Sequence, residues 1–288
     1  MAQYVVTGLA SGGLYALLGL GLLLTLQSTN ALNFAQGEMS MLGAFAFYTL
    51  ATTLGLPAPA AFAAALGVAA AFGAAVYLGG IHPNRARDQE SLAFITLGVK
   101  LAITGIAALA WGAEARVLPS PFTATRYEIA GLFISPAHFW TLVVALAFML
   151  GITLFLRFTT LGLAMRVAAE NTEVAQLLGI NLRVVGVTAW ALAAGLGTAT
   201  GVLFALTAFL SAYMMGLVVL KAFAALVLGG MNSIPGVVVG GLLLGVIEGL
   251  SAYLVSPLFQ DSIALVVLVV FLVVRPEGLF GSLQRWRA

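Results

Sequence analysis

The residues of this sequence that could do chemistry are few, and they stand inside stretches that are otherwise apolar. Asn33, Gln36, Gly37 and Glu38 make a polar step between two apolar runs. The Asn33 side chain could accept from the first free N–H groups of a following helix. Gln36, three residues on, could reach back to the Asn33 N–H, which is a capping-box spacing. That account leaves Glu38 over. A carboxylate one turn into a membrane helix is costly unless the helix dipole, water or a counter-charge compensates it. Glu38 therefore marks either a helix start at the membrane interface or a polar cavity. Lys100 falls near the middle of an apolar run, where an ammonium costs about 2.5–3.5 kcal/mol on insertion scales and must face protein or water rather than lipid. It could pair with Glu38 or Glu248, stay neutral, or line a solute pathway. Lys221 and Glu248 flank a turn-rich segment, Gly229-Gly230-Met-Asn-Ser-Ile-Pro235-Gly236, and an antiparallel helix pair across that turn would bring them level as a salt bridge.

Enzymatic chemistries find little support. With no Cys there is no thiol nucleophile, disulfide, thiolate metal site or lipid-modified Cys. Only two lysines occur and neither ends a Gly-x4-Gly-Lys spacing, so the chain has no phosphate-cradling loop and cannot drive transport by its own ATP hydrolysis. His82 and His138 are far apart and no His-Glu-x-x-His occurs, which disfavours metal chemistry. The two aspartates, Asp88 and Asp261, are expected at loops, against an intramembrane aspartyl protease. No catalytic residue, metal or cofactor is assigned.

These residues must be positioned by membrane helices. Of 288 residues, 62% are apolar and 8% charged, and the mean hydropathy is +1.10. Soluble domains carry about 25% charged residues, so a water-soluble globule is excluded. The net charge of +2 is too small and dispersed for a nucleic-acid surface. The expected fold is an all-α polytopic membrane protein forming one domain over residues 1–288. Spans are placed at Tyr4 to Leu26, Phe34 to Leu54, Ala60 to Gly80, Ser91 to Trp111, Phe139 to Arg157, Val184 to Phe209, Gly216 to Gly229, Gly236 to Val255 and Ser262 to Val274. That is about nine, within a range of eight to ten, and Gly216 to Gly229 is short enough to be a broken or re-entrant piece. The first segment lacks the basic opening of a signal peptide and is expected to be a retained span. Arg85 and Arg87, Arg157, Arg166 and Arg183, and Arg275, Arg285 and Arg287 share one side, against Arg116 and Arg126 on the other. The positive-inside rule makes the first side cytoplasmic, with the C-terminus inside and the N-terminus outside.

Two further patterns concern packing and docking. Gly236 with Gly240, and Gly241, Gly245 and Gly249 in sequence, lie along helix faces suited to close packing or to a backbone surface that a solute slides past. Between Gly162 and Gly179, within the loop from Arg157 to Arg183, apolar residues Leu163, Val167, Val174 and Leu177 or Leu178 fall on one stripe, and Arg166, Glu170 and Glu173 on another. This predicts an amphipathic helix about four turns long, either lying in the membrane interface or acting as a rigid lever against a cytoplasmic partner.

In this order, Asn33-Phe-Ala-Gln36-Gly37-Glu38, Ala169-Glu170 through Leu177-Leu178-Gly179-Ile-Asn181, Lys221-Ala-Phe, and Gly229 to Gly236 followed by Gly240-Gly241 and Glu248 make the chain resemble the permease subunit of high-affinity branched-chain amino-acid ABC importers. The resemblance spans nearly the whole chain. It implies a permease in the cell (inner) membrane that works with a second related permease, two cytoplasmic ATP-binding subunits that hold the ATP, and a periplasmic or extracellular solute-binding protein. It implies a coupling helix carrying Gly162, Arg166, Ala168, Ala169, Glu170, Ala175, Leu178, Gly179 and Asn181. Relatives often carry basic residues where this chain has Thr160 and Leu163, so shape and apolar contact weigh more in docking here. The implied substrates are leucine, isoleucine and valine, with urea, short amides or other amino acids as family alternatives. A stand-alone secondary transporter or channel for small neutral solutes is the competing class.

Overall fold

A computed structural model describes residues 1–85, 87–112, 114–118, 122, 126–129, 132–275 and 277–281. The backbone of a chain this apolar has no water to bond to, so helices that satisfy their own N–H and C=O groups are the natural solution. The order is α1 (Ala2–Thr29), α2 (Gln36–Tyr48), α3 (Ala58–Val76), α4 (Gln89–Trp111), a small antiparallel hairpin of β1 (Tyr127–Ile129) and β2 (Leu132–Ile134), α5 (Pro136–Phe158), α6 (Thr160–Glu170), α7 (Thr172–Leu177), α8 (Leu182–Thr207), α9 (Gly216–Gly229), α10 (Ile234–Leu254) and α11 (Gln260–Val274). Turns of π-helix extend α2 to Thr53 and α3 to Ile81. Arg285 and Arg287 of the charge count lie outside the described residues.

Among the described residues, seven helices are long and apolar enough to cross a membrane: 2–29, 58–84, 89–111, 136–158, 182–207, 234–254 and 257–274. Two other expected spans take a different form. Segment 36–53 contains Gln36 and Glu38 and is packed chiefly against α8, with most of α2 buried. α9 has 14 residues, about 21 Å of helix against a hydrocarbon core of about 30 Å. From Ala224 to Gly229 it is buried throughout. These less apolar or shorter pieces are inside the bundle with α1, α8 and α10. α4, α5 and α11 turn long apolar faces outwards.

The most extensive helix pair is α1 with α10. Gly8 and Gly12 of α1 face Gly241, Gly245 and Gly249 of α10 so closely that a methyl group on any of them would run into facing backbone or, at Gly241, into Ala16. One residue round the helix, Gly236 and Gly240 present a second bare face to Gly229 and Ala225 of α9. α10 is thus clasped on two sides. Apolar lipid gives no hydrophobic drive for helices to associate, so close van der Waals contact of this kind holds them together.

Short polar contacts fix the two ends of the bundle. At one end Arg116 and Leu210 exchange backbone hydrogen bonds of 2.8 and 2.9 Å, and the Trp111 indole donates to Thr49 Oγ1 at 2.9 Å. At the other, Gly230 at φ 103° ends α9, and Ser233 Oγ accepts from the Gly236 N–H to start α10, with Pro235 in its first turn. The last carbonyls of α9, at Leu228 and Gly229, accept from the N–H groups of Leu279 and Phe280, so helix-end acceptors inside the protein are not left bare.

The amphipathic segment differs from its expected form. It is two helices, because Asn171 adopts an extended conformation and its Oδ1 accepts from the N–H groups of Glu173 and Val174 at 2.9 and 3.0 Å. An Asn side chain that competes for backbone donors in this way ends one helix and caps the next. Thr159 Oγ1 caps α6 by accepting from the Gly162 N–H at 2.9 Å, and Gly179 at φ 78° follows α7.

Replacing Gly245 by Val should destabilise the bundle by at least the roughly 1–3 kcal/mol typical of overpacking. Gly105→Ala, with open space at the glycine, should leave stability level or slightly higher. Thermal unfolding of both variants in lipid nanodiscs checks this, and equal melting temperatures would refute the seam.

Candidate functional site

The Lys221 ammonium of α9 is buried within the bundle and draws in groups from three other helices. Its Nζ donates to Glu248 Oε1 of α10 at 2.6 Å, to Asp261 Oδ1 of α11 at 2.5 Å and to Tyr15 Oη of α1 at 3.3 Å. Gln260 Nε2 donates to the same Glu248 Oε1 at 2.8 Å. The Glu248 side chain is 2% exposed, and its Oε2 has no hydrogen-bond partner among the described residues. Asp261 is 53% exposed. It was expected in a loop. It stands instead in the first turn of α11, where the helix dipole favours a carboxylate. Tyr15, Gln260 and Asp261 were missed from sequence. The available signal was a polar Gln-Asp pair opening an apolar run.

A second polar group surrounds the step from α1 to α2. Asn33 Oδ1 accepts from the Ala35 N–H at 3.1 Å, and Asn33 Nδ2 donates to Gln36 Oε1 at 3.0 Å. The expected capping box is not formed. Ala35 is the N-cap residue, and Gln36 Nε2 instead crosses to the Ala193 carbonyl of α8 at 2.8 Å. Gly21 and Gly197 make room for that amide, since a methyl group on either would crowd Gln36 Nε2. The Phe34 N–H donates to Thr96 Oγ1 of α4 at 3.2 Å. Non-helical backbone at membrane depth is tolerated where protein groups satisfy it, and these bonds do so for the step at 33–36.

Glu38 and Lys100 meet, with Oε1 and Nζ 3.4 Å apart. Glu38 is mostly buried, whereas the Lys100 side chain is 40% exposed. Gly37 packs against Val219 of α9. At the N-terminus of α4, outside the span, hydrogen bonds from Ser91 hold the Asp88 carboxyl below the ordinary carboxylate range.

The helices α6 and α7 form a third candidate surface. Gly162 packs on the backbone of Phe155 and Leu156, and Met165, Ala168 and Ala175 are buried, with Ala169 half-buried. Arg166, Glu170 and Asn181 are exposed, and Asn181 Oδ1 caps α8 through the Arg183 N–H. The apolar stripe points away from the bundle, as an interfacial helix or a docking lever requires: Leu163, Val174 and Leu178 are exposed, Leu177 is 87% exposed, and Val167 is half-buried. Small residues let α6 lie close to α5, and the break at Asn171 gives α7 its own orientation. Met165 and Arg166 stand beside Leu24 and Gln27 of α1 and Ile234 of α10, so this surface shares an end of the bundle with the α9–α10 turn.

A family profile described as branched-chain amino acid transport system, permease component, matches residues 4–274. The high-affinity branched-chain amino acid transport system permease protein BraD of Pseudomonas aeruginosa is 32% identical over 97% of this chain and 95% of its own length. LivH of Salmonella typhimurium, with the same description, is 30% identical over the same shares. A probable branched-chain amino acid transport permease protein of Methanocaldococcus jannaschii is 28% identical over 93% of this chain and 89% of its own. Among solved structures, PsaBC from Streptococcus pneumoniae in complex with Fab has a similar fold, with a TM-score of 0.53 and 13% identity over 96% of this chain and 92% of that one.

Breaking a buried pair strands the remaining charge and typically costs about 3–5 kcal/mol. Lys221→Met should lose stability of that order, and Lys221→Met combined with Glu248→Met should recover a large part of it. A double-mutant cycle on thermal unfolding measures the coupling, and simple additivity would show that the pair contributes nothing.

Proposed function

The chain belongs to the family of branched-chain amino acid transport system permease components, and from that premise we propose that it is the membrane-spanning subunit of an ABC importer. In this reading it passes leucine, isoleucine and valine, delivered by a solute-binding protein, while ATP is hydrolysed on two partner subunits. The absence of a phosphate-cradling loop in the sequence supports the division of labour. It is a permease and not an enzyme in its own right.

The observation that carries the proposal is the surface of α6 and α7. A helix pair held down by Gly162, Met165, Ala168 and Ala175, yet presenting Leu177 and Leu178 outwards beside Glu170 and Glu173, has the shape of a lever with an apolar tip. Docked in a groove of an ATPase subunit, it would transmit closure of that subunit to α5 and α8, to which its ends are joined. A lever works only if its contacts differ between the two states. A tip mounted on a small-residue face that can slide meets that requirement.

The same reading orients the molecule. Arg157, Arg166 and Arg183 cluster at the end that carries the lever, which makes it the cytoplasmic end, with the C-terminus inside and the N-terminus outside. Lys100, half-exposed near the middle of α4, needs cover or water at that depth. A second, related permease seated against α2 and α4 supplies both, with a polar path between the subunits bordered by Glu38.

Leu177→Glu with Leu178→Glu should reduce leucine uptake by the assembled importer in proteoliposomes by about tenfold or more, the scale of losing an interface hot spot. Ala169→Pro should also uncouple ATP hydrolysis from uptake. The melting temperature of the permease carrying the two exposed substitutions should change little, and its ATPase subunits should separate on gel filtration. Unchanged coupled uptake would overturn the proposal, as would leucine flux through the purified chain with no ATPase present.

A further inference from the structure

α2 is buried on nearly every side. Of residues 36–48 only Glu38, Leu42, Ala46 and Tyr48 are partly exposed, and the first three stand four residues apart, in one line along the helix. That line begins at the ion pair of Glu38 with Lys100. Near its far end, about 15 Å from Glu38 along the helix, the Arg116 guanidinium donates to Tyr48 Oη at 3.4 Å. An inner helix thus opens one narrow strip outwards, aliphatic at Leu42 and Ala46, with a charged pair at one end and a cation at the other.

The two lysines of the chain are held very differently. Lys221 is buried and donates to three side chains. Lys100 has Glu38 as its one charged partner among the described residues, and its side chain is 40% exposed. Their separation of 3.4 Å is longer than the roughly 2.7–2.9 Å of a charge-assisted hydrogen bond. The pair is loose, and its lysine half is reachable from outside the chain. Lys100 carries its charge on a flexible four-carbon stem, so it can swing aside without moving a helix and uncover Glu38 Oε1, the oxygen it now faces. Glu38 Oε2 is buried and takes no part. Glu38 also lies in the first turn of α2, where the helix dipole favours a carboxylate.

These charges select a class of solute. An anion taken by Lys100 would leave Glu38 unpaired at membrane depth, and a cation taken by Glu38 would leave Lys100 unpaired. Either strands a charge. A neutral solute such as urea or a short amide would have to part an ion pair whose members it cannot replace. A zwitterion replaces both partners at once, with no change in net charge. In an α-amino acid the ammonium and carboxylate are joined through a single carbon, so they present both charges side by side, as the pair itself does.

We propose that Glu38 and Lys100 form a zwitterion-recognising subsite on the path between the two permeases. Lys100 takes the carboxylate of an amino acid, Glu38 Oε1 takes its ammonium, and Leu42 lies one turn on for its aliphatic part. This rests on the import function proposed above and deepens it, because the pair then favours amino acids over neutral amides.

The test uses the importer assembled in nanodiscs, with 15N-labelled lysine in this chain alone. The chain has only two lysines, so solid-state dipolar dephasing by 13C-carboxyl leucine is read at two ammonium signals. Leucine should dephase the Lys100 signal and leave that of Lys221 unchanged. Carboxyl-labelled 4-methylpentanoate, which lacks the ammonium, should need about tenfold or more higher concentration for the same effect, the scale of one lost hot-spot contact. Carbonyl-labelled 4-methylpentanamide, which is neutral, should do no better. A second measurement separates recognition from a structural role. Glu38→Met with Lys100→Met leaves neither charge stranded, so the melting temperature should stay near that of the wild type while leucine uptake falls about tenfold or more. No leucine contact at Lys100, equal contact from either analogue, or wild-type uptake in the double variant would each overturn the subsite. Leucine uptake by the wild-type importer distinguishes this from the import function. Uptake without contact at Lys100 rejects the subsite and keeps the import function, whereas contact without ATP-driven uptake rejects the import function and keeps the subsite.

Discussion

A lysine ammonium buried among apolar helices has to be neutralised by the protein itself, and at Lys221 this requirement organises much of the bundle. The ammonium sits on α9, its two carboxylates on α10 and α11, and the phenol oxygen on α1. Four helices must therefore hold one register. The buried pair need not add net stability over an apolar core, but any sliding of these helices would expose an uncompensated charge. The glycine faces of α10 bring the same helices close enough for the contact to form. Ion cluster and glycine seam are two parts of one arrangement, the first specifying register and the second supplying contact area.

The same economy of polar groups explains the step between α1 and α2. A break in helix at membrane depth exposes backbone donors and acceptors, and Asn33, Gln36 and Thr96 are placed to bond within it and across to α4 and α8. The break shortens α2, and its polar start lies next to Glu38 and Lys100. Apart from Thr96 and Lys100 of α4 and Asp261 of α11, the outer helices present mainly leucine, valine and phenylalanine outwards. Inner helices with small residues and polar ties, surrounded by outer helices of bulky apolar residues, give a bundle whose interior is specified by geometry and whose exterior is specified by solvent. The lever of α6 and α7 is joined to both layers, through α5 on the outside and α8 on the inside.

Much of this was legible in the sequence where one local rule dominated. Apolar run length placed the spans, and the glycines along residues 236–249 marked a helix suited to close packing or to a bare surface facing a solute, of which the structure shows packing on two sides. The pairing of Lys221 with Glu248 across a glycine-rich turn followed from antiparallel geometry. Reading was weaker where two local rules competed. The segment from Gly162 to Gly179 has helical periodicity throughout, yet Asn171 can cap as well as continue a helix, and capping prevailed. Asn33 and Gln36 have capping-box spacing, but a carbonyl on α8, distant in sequence, offered Gln36 a partner that no local rule contains.

By itself the sequence determined the solvent, the helical class, the short list of polar residues that must be satisfied within the protein and the lack of a phosphate loop, because composition and spacing carry these directly. Only the tertiary structure decided which polar groups meet. Asp261 joins Lys221, Gln36 crosses to Ala193, Lys100 reaches Glu38, and Leu177 and Leu178 face outwards rather than into the bundle. Each of those outcomes depends on how helices far apart in the chain lie beside one another, and that is set by glycine contacts and long-range register rather than by any window of neighbouring residues.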